Sequence, residues 1–393
     1  MNHKDLSNRL ALVNQILADH NLEAETISPL AYDPSCPFPY NNFTYHISLT
    51  SPLTPQPFLP TNKPCVISPP QEGRVTSLIV RLSNPPADGI TQTNGVQNEV
   101  AALYLARRSG GGILFPAVYD WRASVRNTAE EGWDMGWITQ EFKPGVGLDE
   151  LFDSLSSEEK RGVVGQVADA FAAIQRVRLP DGVTGYGGLN IAEEGDGKIV
   201  GGEMTTLQGG PWDDYASFWR AKLVSRLGEA DGSLALGGWR ENGVRERVEG
   251  FVTGELEGCL RGAGVDGTAR VLTHGDVTTS NILIDPETLH LTGVIDFDFA
   301  SIGHPAQEFL SSFHDPAEEG RMWEEALAKR GLLRPATIRG METLELLGRL
   351  DELLAPFRLV HPVPLGKKTE EQVRRERMEA EERLVECLNT VGA

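Results

Sequence analysis

Cysteine is scarce in this chain: four residues in 393, at positions 36, 65, 259 and 387. No two stand in C-x-x-C or similar ligand spacing, which argues against a structural zinc site and a disulfide framework. Scattered free thiols are the pattern of a reduced compartment, so a cytoplasmic location is expected. Long apolar runs are also missing. None approaches 18 residues, so no membrane-spanning helix is expected. The first twenty residues, MNHKDLSNRLALVNQILADH, lack the apolar centre of a signal peptide. Their Leu10, Val13 and Leu17 recur at helical spacing and predict an amphipathic helix to about residue 22. Basic residues are outnumbered, 36 against 56 acidic, for a formal net charge of −20. Such a surface repels phosphate backbones and anionic lipid, so neither nucleic acid nor membrane is an expected partner. No internal repeat of 20–50 residues is visible. An apolar share of 40% is enough for packed cores.

The length exceeds one ordinary core and suggests two domains or lobes. A strand is predicted where Phe43, Tyr45, Ile47 and Leu49 alternate. The proline-rich segment of about 51–73 cannot be a central strand and is read as an exposed insertion. VTSLIVRLS predicts a strand ending near Arg81, and GVQNEVAALYLARR a helix with Val96, Val100, Leu103 and Leu105 on its apolar face. Two further strands follow in ILFPAVYDW and MGWITQEF. Gly110–Gly112 precedes a strand instead of opening a helix, so it reads as a turn and not a phosphate cradle. A long helical pattern covers 149–178, loops cover 180–212, and helices are expected at about 213–227 and 243–262. Short strands surround a turn at Pro286–Thr288, and the remainder is helical. It ends in a charged helix at about 367–390 with a narrow stripe of Val373, Ala380, Leu384 and Leu388.

The stretch THGDVTTSNILID places His274 two residues before Asp276 and Asn281 five residues after it, then enters an apolar strand. GVIDFDFA puts Asp296 and Asp298 at the end of a second apolar run. Carboxylates at the ends of buried strands are costly unless something pairs with them. An isolated Asp-x-x-x-x-Asn is ordinarily a loop with side-chain caps. Phosphoryl transfer from a nucleotide needs a carboxylate to orient a hydroxyl, oxygen ligands for Mg²⁺, and a cation on the remaining phosphates. Asp276, Asn281 and Asp296 meet that description together. No second histidine lies within ligand spacing of His274, so a structural role suits it better than zinc binding.

HGDVTTSNIL followed by GVIDFDFASIGHPAQEF resembles the catalytic and metal-binding segments of the aminoglycoside phosphotransferase and choline kinase-like family, which is similar in fold to protein kinases. LIVRL with NEVAALYLA, and WITQEFKPGVGLDEL, resemble the phosphate-contacting strand, its helix and the hinge, in the same order. The resemblance runs from about Pro37 to Phe313. It implies an α+β, two-lobed kinase-like fold: a nucleotide-binding lobe over 1–142 and a mainly helical catalytic and substrate lobe over 143–393. It implies Asp276 as catalytic base, His274 as a structural member of its loop, and Asn281 and Asp296 as Mg²⁺ ligands. Arg81 would contact the phosphates of ATP with Glu99 as its partner, and Asp298 would be accessory. The segment at His304–Pro305 and Glu308 would be scaffold.

The implied activity is ATP-dependent phosphorylation of a hydroxyl on a small molecule, a metabolite or an antibiotic-like compound, with a cationic acceptor favoured by the acidic balance. Two departures stand out: arginine replaces the family's lysine at position 81, and the segment CPFPYNNF, where a nucleotide-covering loop is expected, has no glycine. They favour a rival reading, a degenerate pseudokinase that binds or regulates. A protein kinase fits less well, because Thr278 stands where a lysine would follow the aspartate and no APE-like segment follows Asp296. The acceptor, the choice between ATP and GTP, and the oligomeric state are open at this level.

Overall fold

The computed structural model describes residues 4–392 other than 32, 34, 54–57, 59–62, 71–74, 85–86, 88–89, 91–93, 111, 113, 125–134, 193–196 and 312–317. Its first elements are α1 (Leu6–Asp19), β1 (Ala24–Pro29), β2 (Asn42–Leu49), β3 (Ser77–Ser83), α2 (Gly95–Arg108), β4 (Val118–Arg122) and β5 (Trp137–Glu141). Then come β6 (Val146–Gly147), α3 (Ser157–Gln175), β7 (Gly188–Ile191), β8 (Ile199–Gly202), α4 (Tyr215–Gly232), α5 (Val244–Gly250) and α6 (Leu256–Gly262). The rest are β9 (Val271–Thr273), β10 (Ile282–Ile284), β11 (Leu291–Val294), β12 (Ser301–Gly303), α7 (Gln307–Ser311), α8 (Glu318–Lys329), α9 (Met341–Leu354), α10 (Phe357–Val360), α11 (Pro362–Leu365) and α12 (Glu370–Val391).

The chain forms two compact units. The first holds residues 1–211, 271–303 and 311–332; the second holds 212–270, 304–310 and 333–393. The boundary expected near Phe142 falls inside the first unit, which contains every residue assigned above to the catalytic site.

In the first unit an antiparallel sheet runs in the order β1-β2-β3-β5-β4. The alternation in β2 decides its orientation. Phe43, Tyr45, Ile47 and Leu49 are buried, against Val13, Ile16 and Leu17 of α1 among others, while Asn42, Thr44, His46 and Ser48 line the other face. Full burial of such side chains contributes about 1.5–3 kcal/mol each. β3 lies in the middle of the sheet and is buried from Leu78 to Ser83. That places the charged Arg81 on a strand with almost no access to water.

A second core packs α2 and α3 with residues of β7, β9, β11 and β12. β10 pairs with both β11 and β6, and β12 pairs with β9. The expected turn at Pro286–Thr288 is present. Asp285 Oδ1 accepts from the backbone N–H groups of Glu287 and Thr288, both at 2.9 Å.

Several sequence expectations change. The proline-rich segment is not simply an exposed insertion: where described, it is anchored. Leu53, Phe58 and Cys65 are buried, Lys63 pairs with Asp120 at 2.6 Å, and Ile67 N–H bonds the Val118 carbonyl at 2.8 Å. Its prolines keep it out of the sheet, but its apolar residues still seek the core. Part of the segment, 54–57, 59–62 and 71–73, lies outside the described residues. The helix read over 149–178 starts later, at Ser157, where Ser156 and Glu159 form a capping box. β1 escaped notice because its residues are half-buried or exposed, with no alternating apolar run. The loops at 180–212 contain the glycine-rich hairpin β7–β8.

The second unit is helical among its described residues. α12 is capped by Thr369 and packs against α9 through Ala380, Leu384, Cys387 and Leu388. Buried Asp351 of α9 receives Lys222 and Arg226 of α4 at 3.2 Å each. The helix expected at 243–262 is interrupted by a π-helical turn at Phe251–Glu255.

Candidate active site

The loop between β9 and β10 carries His274, Asp276 and Asn281. Gly275 has φ +81°, and a Cβ there would meet the Phe299 carbonyl oxygen. Glycine is therefore required between the histidine and the aspartate. A tight turn follows, with Thr278 N–H on the Asp276 carbonyl at 2.9 Å and Asn281 N–H on the Thr278 carbonyl at 3.1 Å. The Asn281 side-chain amide donates to the Asp276 carboxylate and to its carbonyl, both at 2.9 Å. The amide nitrogen is thus committed to the loop, and Oδ1 is the atom left to face a cation. Burial pushes the Asp276 carboxyl above its usual range and Asp296 adds to this, with the Asn281 bond opposing them. A raised carboxyl is a better proton acceptor at neutral pH.

His274 is completely buried. Its Nε2 donates to the Ile295 carbonyl at 3.0 Å, and its Nδ1 accepts the Asp276 N–H at 3.3 Å. Its ring lies 4.4 Å from Phe297. Burial lowers its pKa to about 4, against the Ile295 bond and the nearby Asp296. It is a neutral cross-brace, through backbone partners, between the loop of Asp276 and the segment of Asp296.

Asp296 leaves the end of β11 with φ +68°. That is the left-handed region, which an aspartate occupies at some cost and which recurs at functional sites. The turn aims its carboxylate at Arg81, whose Nη2 lies 2.7 Å away. The same Nη2 bonds Asp298, and Arg81 Nε sits 3.3 Å from Glu99 in an ion pair too far off-line to be a hydrogen bond. Arg81 and Glu99 are 8% and 4% exposed at their side chains, Asp298 9% and Asp296 38%. Burial pushes the Glu99 and Asp298 carboxyls up, with Arg81 opposing. Burial acts on Asp296 in the same sense, but there Arg81 outweighs it and holds the carboxyl down.

One guanidinium faces three carboxylates, so the cluster carries more negative than positive charge. Its most exposed member is Asp296. The Asp296 carboxylate and Asn281 Oδ1 are hard oxygen donors of the kind that would hold a divalent cation, with water or phosphate completing its shell. No group of three His, Cys, Asp or Glu side chains among the described residues forms a closed metal cage. An open Mg²⁺ site does not need one.

Every residue named from sequence is thereby placed. Arg81, Glu99, Asp296 and Asp298 form one cluster, and His274 ties it to Asp276 and Asn281. Sequence reading missed Asn42, whose Nδ2 donates to Asp298 Oδ2 at 2.6 Å. It also missed Asn98, fully buried, which donates to the Ala300 carbonyl at 2.8 Å and accepts from Leu189 N–H at 2.7 Å. Gln140 and His46 were missed too. They lie opposite Ile79 on neighbouring strands, on the sheet face that Arg81 shares. Gln140 Oε1 and His46 Nε2 are buried without a hydrogen-bond partner. A buried orphan polar atom is the only local signal, and it exists only in three dimensions.

The segment expected from sequence to cover a nucleotide joins β1 to β2 over residues 30–41, of which 32 and 34 lie outside the described residues, and contains no glycine. The segment that the resemblance reads as a hinge follows β5. Glu141 receives Arg107 at 2.9 Å, which ties α2 to the strand end, and Lys143, two residues on, at 2.8 Å.

A model of the phosphotransferase enzyme family matches residues 71–347, more than half of the chain. No curated protein sequence matches. Among solved structures, a thermostable mutant of aminoglycoside phosphotransferase APH(4)-Ia, in ternary complex with AMP-PNP and hygromycin B, is 16% identical. The match covers 98% of this chain and 99% of that one, with a TM-score of 0.53. APH(2'')-IIa in its ternary complex with streptomycin and ATP is 13% identical over 98% and 99%, with a TM-score of 0.51. ADP-bound APH(2'')-Ib is 14% identical over the same shares, with a TM-score of 0.50. At these identities the likeness is one of fold, and it agrees with the α+β kinase-like architecture expected from sequence.

Proposed function

Because the chain belongs to the phosphotransferase enzyme family, we propose that it transfers the γ-phosphate of ATP to a hydroxyl of a small molecule. The observation that carries this reading is the linked pair of clusters: Asp276 with Asn281, braced through His274 to Asp296 on Arg81. Asp276 orients the acceptor hydroxyl and takes its proton, helped by a carboxyl raised through burial. Arg81, fixed by Glu99, presents a guanidinium to the non-transferred phosphates and can offer two donors where lysine offers a point charge. Asp296 and Asn281 would hold Mg²⁺, which when bound would neutralise phosphate charge. The adenine base of ATP would lie against the face where Gln140 Oε1 and His46 Nε2 lack hydrogen-bond partners, two residues along the strands from the Arg81 rung, or about 7 Å. The three solved relatives were captured with AMP-PNP, ATP or ADP, which supports an adenine nucleotide. The acidic balance of −20 supports a cationic acceptor.

The glycine-free loop supports a second reading, a protein that keeps the fold and binds without turnover. Calorimetry of ATP with and without Mg²⁺, on wild type and Asp296→Asn, separates the two in combination with a transfer assay. Magnesium-dependent binding in wild type, lost in Asp296→Asn, is expected. Binding without transfer to any of a broad panel of hydroxyl acceptors supports the second reading. Unchanged metal dependence in Asp296→Asn removes that residue from the site.

A further inference from the structure

Asn42 opens β2, immediately after the glycine-free loop, and its side chain reaches Asp298 across 256 residues of sequence. Asp298 has both oxygens engaged: Oδ1 on Arg81 Nη2 and Oδ2 on Asn42 Nδ2. Its carbonyl accepts the Thr205 hydroxyl at 3.0 Å. The residues just before Asn42 are also held. Asn84, after β3, donates its amide to the Tyr40 carbonyl at 2.5 Å and its backbone N–H to the Asn41 carbonyl at 3.1 Å. Three consecutive residues at the foot of the hairpin are therefore pinned by side-chain and backbone bonds. A loop carrying Pro34, Pro37 and Pro39 and no glycine cannot lay its own amides flexibly over phosphates. Its placement has to come from elsewhere.

We propose that the Asn42–Asp298 hydrogen bond is the strap that positions the nucleotide-covering hairpin over the metal-binding turn, with Asn42 and Asp298 as positioning residues and not metal ligands. Asp298 is the junction, because it touches Asn42 and Arg81 at once. The hairpin and the phosphate-contacting arginine are thereby set by the same carboxylate. Asp296, the more exposed of the two aspartates, is left for the metal. This inference rests on the nucleotide-binding reading above.

The test exchanges the ends of the bond. Asn42→Asp, Asp298→Asn and the double variant are compared with wild type by Mg²⁺·ATP calorimetry and by melting without nucleotide. Asn42→Asp sets two carboxylates against each other and is expected to weaken Mg²⁺·ATP binding by about tenfold or more. In the double variant donor and acceptor have changed places, and the amide oxygen introduced by Asp298→Asn can still accept from Arg81. Affinity is expected to recover to within about threefold of wild type, a non-additive result. A double variant as weak as the two singles combined overturns the strap, as does Asn42→Asp binding like wild type. Coupling seen in melting but not in affinity also overturns it, because the bond is then structural only. Wild type that binds no Mg²⁺·ATP overturns the nucleotide reading itself, a separate failure, and the positioning role falls with it. If Asn42→Asp does not fold, Asn42→Ala replaces it. Weakened Mg²⁺·ATP binding with a retained melting temperature supports the strap, and unchanged binding overturns it.

Discussion

Asp276 and Gln140 each bury a polar group at some cost in stability. Asp276 sits half-buried with one amide partner, an environment that raises its carboxyl and suits a proton acceptor. Asp276→Asn is expected to slow transfer by about 10²–10⁴-fold while sparing Mg²⁺·ATP affinity, as single-turnover rates beside calorimetry show. A comparable loss of affinity excludes the role of base. Gln140 buries an amide oxygen with no protein partner, which costs about 1–3 kcal/mol where nothing else bonds it. Gln140→Leu removes that orphan. It is expected to raise the melting temperature and to weaken ATP by about tenfold, leaving inorganic tripolyphosphate unaffected. Equal losses for ATP and tripolyphosphate rule out contact with the base.

Among the elements, the β9–β10 loop combines a left-handed residue with a close backbone approach. Gly275 occupies φ +81° against the Phe299 carbonyl. Gly275→Ala is expected to cost about 1–3 kcal/mol from backbone strain, plus whatever shift the close approach forces. Denaturant titration measures this, and a neutral outcome refutes the packing described. This loop was legible in the sequence because its chemistry is local: histidine, glycine, aspartate and asparagine lie within eight residues, and the strands on either side announce themselves by apolar runs. β2 was legible for the same reason, through the alternation of Phe43, Tyr45, Ile47 and Leu49. β1 was not, since an edge strand with little burial writes no pattern. Nor was β7–β8, where glycines at 188, 201 and 202 imitate a loop.

On the scale of the whole molecule, each compact unit buries a neutral histidine. His274 belongs to the first. His304 belongs to the second, where its Nδ1 accepts the Ala306 N–H at 3.1 Å and its ring stacks on Tyr215 at 4.8 Å. Burial lowers both to about 4, from an ordinary value near 6.5. Between those limits the unfolded chain binds the extra proton. Their contribution is therefore complete above about pH 6.5 and is lost as the pH falls towards 4, on the order of 3 kcal/mol for each histidine. His304→Asn removes one of these two groups, so its stability should fall less steeply than that of wild type over this window. Identical slopes mean that His304 is not buried as a neutral ring.

The amino-acid sequence by itself determined the family-like catalytic segments, the acidic surface and the main apolar faces. Each is written in residues close together along the chain, where spacing and periodicity act directly. Only the tertiary structure decided what those residues meet. Arg81 finds Asp296 across 215 positions, Asn98 finds Ala300 across 202, and Asn42 finds Asp298 across 256. Such bonds leave no local trace, because nothing in the residues around either partner names the other. Folding makes them obligatory: once β2, β3 and α2 bury their apolar faces, the polar groups carried with them lose water and must find partners in the protein.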